Sequence, residues 1–155
     1  MPAAAPSTGA AARRLPPASS TREGRTGTLA GMTTTSTDTI ADAVLAAWNE
    51  RDPGRRAELV AAAWADDGHL ADPPMEGRGH AAIAGMAAAL QQQFDGHRFR
   101  RASAVDEHHG VFRYAWELVG PDGAVALTGL DVGELAADGR VRRIAGFFGE
   151  LEPAA

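Results

Sequence analysis

The sequence predicts an α+β domain in which three N-terminal helices pack on one face of a mainly antiparallel sheet. Apolar residues recur at helical spacing between Thr37 and Phe94. Beyond Gly96 the period changes to two, and the turn signals "EHHG", "GPDG" and "AADG" divide the remainder into strand-length runs. Helices first and strands after them give a meander with helices on one side, not alternating βαβ units.

The first helix carries Ile40, Val44 and Trp48, with Thr37 or Asp38 as its N-cap. Asp52-Pro53 restarts a helix, the aspartate as cap and the proline in the first turn. Its apolar face is Ala57, Val60, Ala61 and Trp64, and Gly68 is expected to end it. A short extended "HLAD" follows, closed by Pro73-Pro74, and a third helix carries Ile83, Met86, Ala87, Leu90 and Phe94. The strands are expected over His97 to Asp106, Val111 to Val119, Ala124 to Leu135 and Val141 to Gly149. Phe112, Tyr114, Trp116 and Leu118 mark one face of the second, with Arg113 and Glu117 on the other.

Residues 1–31, rich in Pro, Ala, Ser, Thr and Gly without apolar periodicity, predict a disordered extension before a domain over 32–155. Arg13-Arg14 has no hydrophobic segment after it, so no export signal is expected and the predicted location is cytoplasmic. A chain of 155 residues holds one domain with a real core. Its 15 basic residues are all arginine, and 20 acidic residues leave a formal net charge of -5, which argues against a nucleic-acid surface. The absence of cysteine excludes disulfides, thiolate-bound zinc and thiol nucleophiles. No apolar run is long enough to span a membrane. Chemistry must come from carboxylates, histidines, arginines, the single tyrosine and the backbone.

Within "HLADPP", Leu70 and Asp72 lie two apart and share a face of an extended segment. An ionised group on a buried face costs several kcal/mol unless something compensates. Asp72 is therefore a candidate functional carboxylate, expected to titrate high and to suit general-base work near neutral pH. Asp131 shares a face with Val125, Leu127 and Gly129 and is the second candidate. Trp48, Trp64, Tyr114, Trp116 and Phe148 are the candidate wall of an apolar, substrate-binding pocket. His108-His109 reads as a solvated hairpin pair; no metal and no cofactor are expected. The arginines that open the first and last strands read as solvated or interface charges.

The order of elements, with "AWADDGHLADP", "GHAAI" and "GLDVGELAADGRVRRIAGFFGE", resembles the NTF2-like or SnoaL-like superfamily over about Asp38 to Leu151. The resemblance implies a cone whose helices pack on a strongly curved sheet. It is nearest in mechanism to ketosteroid isomerase. That enzyme's proton-shuttling aspartate precedes a proline after the second helix, as Asp72 precedes Pro73. Its second aspartate, protonated in an oxyanion hole, stands eight residues before a turn glycine, as Asp131 stands before Gly139. The family's tyrosines fall on Trp48, Trp64 and Ala87, so the phenol donors are absent here.

The function these features imply is aspartate acid/base chemistry on a hydrophobic carbonyl compound, an isomerisation or a polyketide-type cyclisation. The alternatives are a non-catalytic ligand-binding or dimerisation module and a limonene-type epoxide hydrolase. The last needs an arginine two residues before an aspartate on the second meander strand, where Arg113 and Ala115 lead instead to Glu117. Leu130, Val132 and Phe147 on the open sheet face predict a homodimer, with no nucleic-acid or membrane partner.

Overall fold

The computed structural model describes residues 36–155, and within them three helices and a seven-stranded sheet form an α+β cone. The extension expected over residues 1–31 lies outside the described residues. Helix α1 (Thr37–Asn49) buries Ile40, Val44, Leu45 and Trp48. Helix α2 (Pro53–Ala63) opens on Asp52, whose Oδ1 accepts the Arg55 N–H at 2.7 Å. Helix α3 (His80–Gln93) buries Ile83, Met86, Ala87 and Leu90.

The strands are β1 (Trp64–Asp72), β2 (Met75–Arg78), β3 (Arg98–Arg101), β4 (Asp106–His108), β5 (Val111–Val119), β6 (Val125–Leu135) and β7 (Val141–Phe148). They lie in the order β2-β1-β7-β6-β5-β3, with β4 also paired to β5. Only β1 and β7 run parallel; every other pair of described strands is antiparallel.

Three boundaries differ from the sequence expectation. Helix α2 ends at Ala63, not Gly68, and "HLAD" is the end of a nine-residue strand. Trp64 continues the helical spacing of Val60, yet it is fully buried as the first residue of β1, opposite Val141 of β7. Gly68 leaves room for its ring, since a Cβ there would stand 2.9 Å from Trp64 Cε3. Pro73-Pro74 is the two-residue turn of a β1–β2 hairpin that pairs Asp72 with Met75.

The run from His97 to Asp106 is two strands. Arg101 pairs with Trp116 and Asp106 with Arg113, so more residues intervene on this side than on β5 and the chain must bulge. Ser103 Oγ accepts the Ala115 N–H at 2.8 Å within the bulge, and Arg101 turns to pair with Asp38 and Asp42 of α1.

The end of α1 is closed by two polar side chains. Gln91 Nε2 donates to the carbonyls of Trp48 (2.6 Å) and Glu50 (2.8 Å). Buried Arg56 donates to Glu50 O (2.9 Å) and Gln91 Oε1 (2.8 Å). A cation and donors at a helix C-terminus satisfy carbonyls that have no intrahelical partner. They also fix the backbone that carries Trp48.

Candidate functional site

Asp72 and Asp131 come from strands distant in sequence and meet over a glycine. The β1–β7 register sets Ala71 beside Ala145, which brings the next residues, Asp72 and Gly146, side by side. The β6–β7 register sets Asp131 opposite the same Gly146. Three adjacent strands thus carry carboxylate, glycine and carboxylate in a row. A Cβ on Gly146 would stand 2.0 Å from Asp72 Oδ1 and 3.3 Å from Asp131 Oδ1. The two oxygens can be no farther apart than the sum of those distances, within the range where like charges repel strongly.

Asp131 is buried, and each of its oxygens accepts one hydrogen bond. The Tyr114 hydroxyl donates to its Oδ2 and the Trp116 indole N–H to its Oδ1, each at 2.9 Å. The sequence builds this locally through β5–β6 pairing: Phe112, Tyr114 and Trp116 stand opposite Gly133, Asp131 and Gly129. A Cβ on Gly129 would lie 2.2 Å from Trp116 Cζ2, and one on Gly133 2.2 Å from Phe112 Cζ, so these glycines leave the space the rings fill.

The two carboxyls titrate differently. Burial drives Asp72 from its ordinary 3.8 to about 7, and the nearby Asp131 charge adds to the rise. Asp131 rises to about 6 because burial outweighs the two donors, which favour its ionised form. Burial, and then the Asp131 charge, push the Tyr114 hydroxyl well above its ordinary value, so it remains a donor. Both carboxyls are thus raised toward neutral pH, and so close together they titrate as a coupled pair rather than as independent groups.

Around the carboxylates stand Trp48, Phe99, Trp116 and Phe148, with Leu45, Leu70, Leu90 and Ile144. Successive rings meet at steep angles: Trp48–Phe99 at 59°, Phe99–Trp116 at 75° and Trp116–Phe148 at 87°, with centroids 5.2 to 5.9 Å apart. The free space they enclose is about 20 Å³, room for about one water molecule.

Of the residues expected at the site, Asp72, Asp131, Trp48, Trp116 and Phe148 come together around this cavity. Trp64 and Tyr114 are not among its lining residues. Trp64 packs over Gly68, and its carbonyl oxygen accepts from Arg140 and lies 2.9 Å from His80 Nε2. Tyr114 reaches the site only through Asp131. Sequence reasoning missed Gly146 and Phe99. The alternation of Phe99 between Arg98 and Arg100 was the available signal for an inward ring. Arg113 and Glu117 alternate with the inward residues of β5 and pair with Asp106 and Arg100, away from the carboxylates. Among the described residues no group of three His, Asp or Glu is placed to hold a metal, and no helix is long and apolar enough to cross a membrane.

Residues 41–144 match the SnoaL-like domain family. A solved structure from Agrobacterium tumefaciens, named as a candidate isomerase of the SnoaL-like family, is 43% identical with a TM-score of 0.70, over 72% of this chain and 96% of that one. A Catenulispora acidiphila protein with a ketosteroid isomerase-like fold, solved with trimethylamine, is 14% identical with a TM-score of 0.58, over 70% and 83%. A candidate SnoaL-like polyketide cyclase from Jannaschia is 15% identical with a TM-score of 0.56, over 76% and 91%. The last two show likeness of fold alone. No protein of curated function matches the chain.

Proposed function

The chain belongs to the SnoaL-like family, and from that membership and its paired aspartates we propose that it is a cofactor-independent enzyme acting on a hydrophobic carbonyl compound. Proton transfer next to a carbonyl, as in enone isomerisation or polyketide-type cyclisation, is the chemistry. The observation that carries this reading is the pair of carboxyls that meet over Gly146 inside an aromatic enclosure, both raised by burial. Carboxyls raised in this way suit proton transfer near neutral pH.

In this reading Asp72, which lacks the donors that hold Asp131, takes the proton from carbon and returns it. Asp131 sets the proton affinity of Asp72 and manages charge on the substrate oxygen. Trp48, Trp116 and Phe148 hold the substrate's apolar body. Tyr114 orients Asp131 and is a positioning residue. Trp64 supports the wall from the core.

A non-catalytic ligand-binding module is the second reading. It is favoured by one observation: both Asp131 oxygens already accept hydrogen bonds, and no phenol points into the cavity.

The protein acts in the cytoplasm as a homodimer in this proposal. Leu130 and Phe147 pair across β6 and β7 on the outer face of the sheet, and Phe147 is 57% exposed there. An open apolar sheet face of this kind needs a cover.

The test is turnover and affinity measured together, on a panel of hydrophobic enones and cyclisable polyketones, for the wild type and Asp72→Asn. Loss of turnover with affinity retained supports the enzyme. Tight binding with no conversion of any compound by the wild type supports the binder.

A further inference from the structure

Asp72 and Asp131 lie in the aromatic cavity. Next to it lies a second, wider space of about 470 Å³, between α1, the start of α2 and β3. Leu45 and Phe99 line both, so these two side chains form the partition between them. They differ in mobility. Leu45 is 7% exposed on a helix packed into the core. Phe99 is half-buried on β3, a four-residue strand at the end of the sheet.

The backbone of Phe99 is fixed even so. Asn49 Nδ2 donates to Phe99 O at 2.9 Å, and the Phe99 N–H donates to Asn49 Oδ1 at 2.7 Å. A side-chain amide that satisfies both groups of one residue holds the strand against α1. Opening the partition is then rotation of one ring, not movement of a strand.

The wider space differs in chemistry from the inner one. Its four arginines are nearly balanced once the ion-pair partners outside the space are counted with its two lining acids. Arg100 pairs with Glu117, Arg55 with Glu58, and Arg101 with Asp42 and Asp38. Of the other two charged lining residues, Arg98 and Glu50, one is basic and one acidic. The Asn49 side chain and the turn at Glu50 complete a polar wall whose charges are mostly paired.

We propose that the two spaces form one binding site divided by Phe99, and that its substrate is elongated. An apolar carbonyl-bearing head would displace the Phe99 ring to reach Asp72 and Asp131, and an uncharged, hydrogen-bonding tail would stay in the outer space. The identification of the head rests on the proposed carbonyl chemistry; the two-part site does not. With room for about one water inside, no organic head enters unless a wall of the cavity moves, and Phe99 is a wall it shares with the wider space. A polar outer wall whose charges are already mostly paired favours hydroxyl or amide groups over an anion or a cation.

Calorimetry with benzylideneacetone and its para-carboxamide tests this. The carboxamide is expected to bind roughly tenfold more tightly to the wild type. Ala46 is exposed on α1 and lines only the outer space. Ala46→Trp should fill that space and erase the difference, leaving the affinity for benzylideneacetone within about twofold. Phe99→Ala, or Phe99→Leu if the first is poorly folded, should raise the association rate for both probes by roughly tenfold and expose Trp48 and Trp116 to acrylamide quenching. Equal affinities in the wild type, or a preference that survives Ala46→Trp, would overturn the two-part site. Unchanged association and quenching in both Phe99 variants would overturn the gate. These are binding measurements, so they stand or fall apart from turnover: loss of the acid/base reading leaves them intact, and their failure leaves turnover by Asp72 intact.

Discussion

Asp72→Asn should stabilise this protein, and by an amount that depends on pH. The native state holds the Asp72 proton until about pH 7, whereas the unfolded chain releases it near 3.8. Between those values the native state binds more protons than the unfolded one, so stability falls as pH rises and levels off above the folded value. The difference is roughly three pKa units at about 1.4 kcal/mol each, an upper bound of about 4 kcal/mol. Asp72 is partly reached by solvent, which screens the charge, so about 2–4 kcal/mol is the expected range. Asparagine keeps the shape and removes the charge. Urea unfolding of both proteins from pH 4 to pH 9 should show nearly equal stability at the acid end, with Asp72→Asn ahead by about 2–4 kcal/mol at the alkaline end. A residual slope should persist in the variant, because Asp131 also titrates high. A stability difference that is the same at pH 4 and pH 8 would refute the reasoning, since an uncharged packing effect has no such dependence.

Gly146→Ala places a methyl group where the Asp72 carboxylate lies, 2.0 Å from Oδ1; turnover should fall at least about a hundredfold. Carboxyl NMR should then find Asp72 moved back toward 3.8, and an unmoved signal would contradict the shared-glycine geometry. Tyr114→Phe removes one donor to Asp131. The Asp131 carboxyl should then titrate higher by about one unit in carboxyl NMR, and an unmoved signal would remove Tyr114 from the site's electrostatics. Phe147→Glu puts a charge on the exposed sheet face and should turn the proposed dimer into a monomer by light scattering. A wild type that is already monomeric at micromolar concentration would contradict the dimer.

The carboxylates were legible in the sequence because each breaks a local rule. Asp72 occupies the face that Leu70 uses for burial, and Asp131 sits in an apolar alternation that ends in a turn glycine. Their partner Gly146 was not legible. Its meaning comes from the parallel pairing of β1 with β7, strands separated by most of the domain, and no local pattern encodes that register. Trp64 misled for the opposite reason. Its spacing from Val60 continues a helical stripe, but tertiary pairing with Val141 ends the helix a residue earlier. The β3–β4 break escaped notice because a bulge leaves the period of two intact on either side. What forces it is the Ser103 hydroxyl bond and the pull of Asp38 and Asp42 on Arg101.

The most direct test of the central claim, that Asp72 moves a proton at carbon, is hydrogen exchange followed by NMR in heavy water. A cyclic β,γ-unsaturated ketone carries acidic hydrogens beside its carbonyl and is a suitable probe. The wild type should exchange them above the buffer rate, with activity rising as Asp72 ionises towards about pH 7. Asp72→Asn should lower the exchange rate by roughly 10² to 10⁴ while still binding the ketone. Exchange at the same rate in wild type and Asp72→Asn, or none by a wild type that binds the ketone, would contradict it.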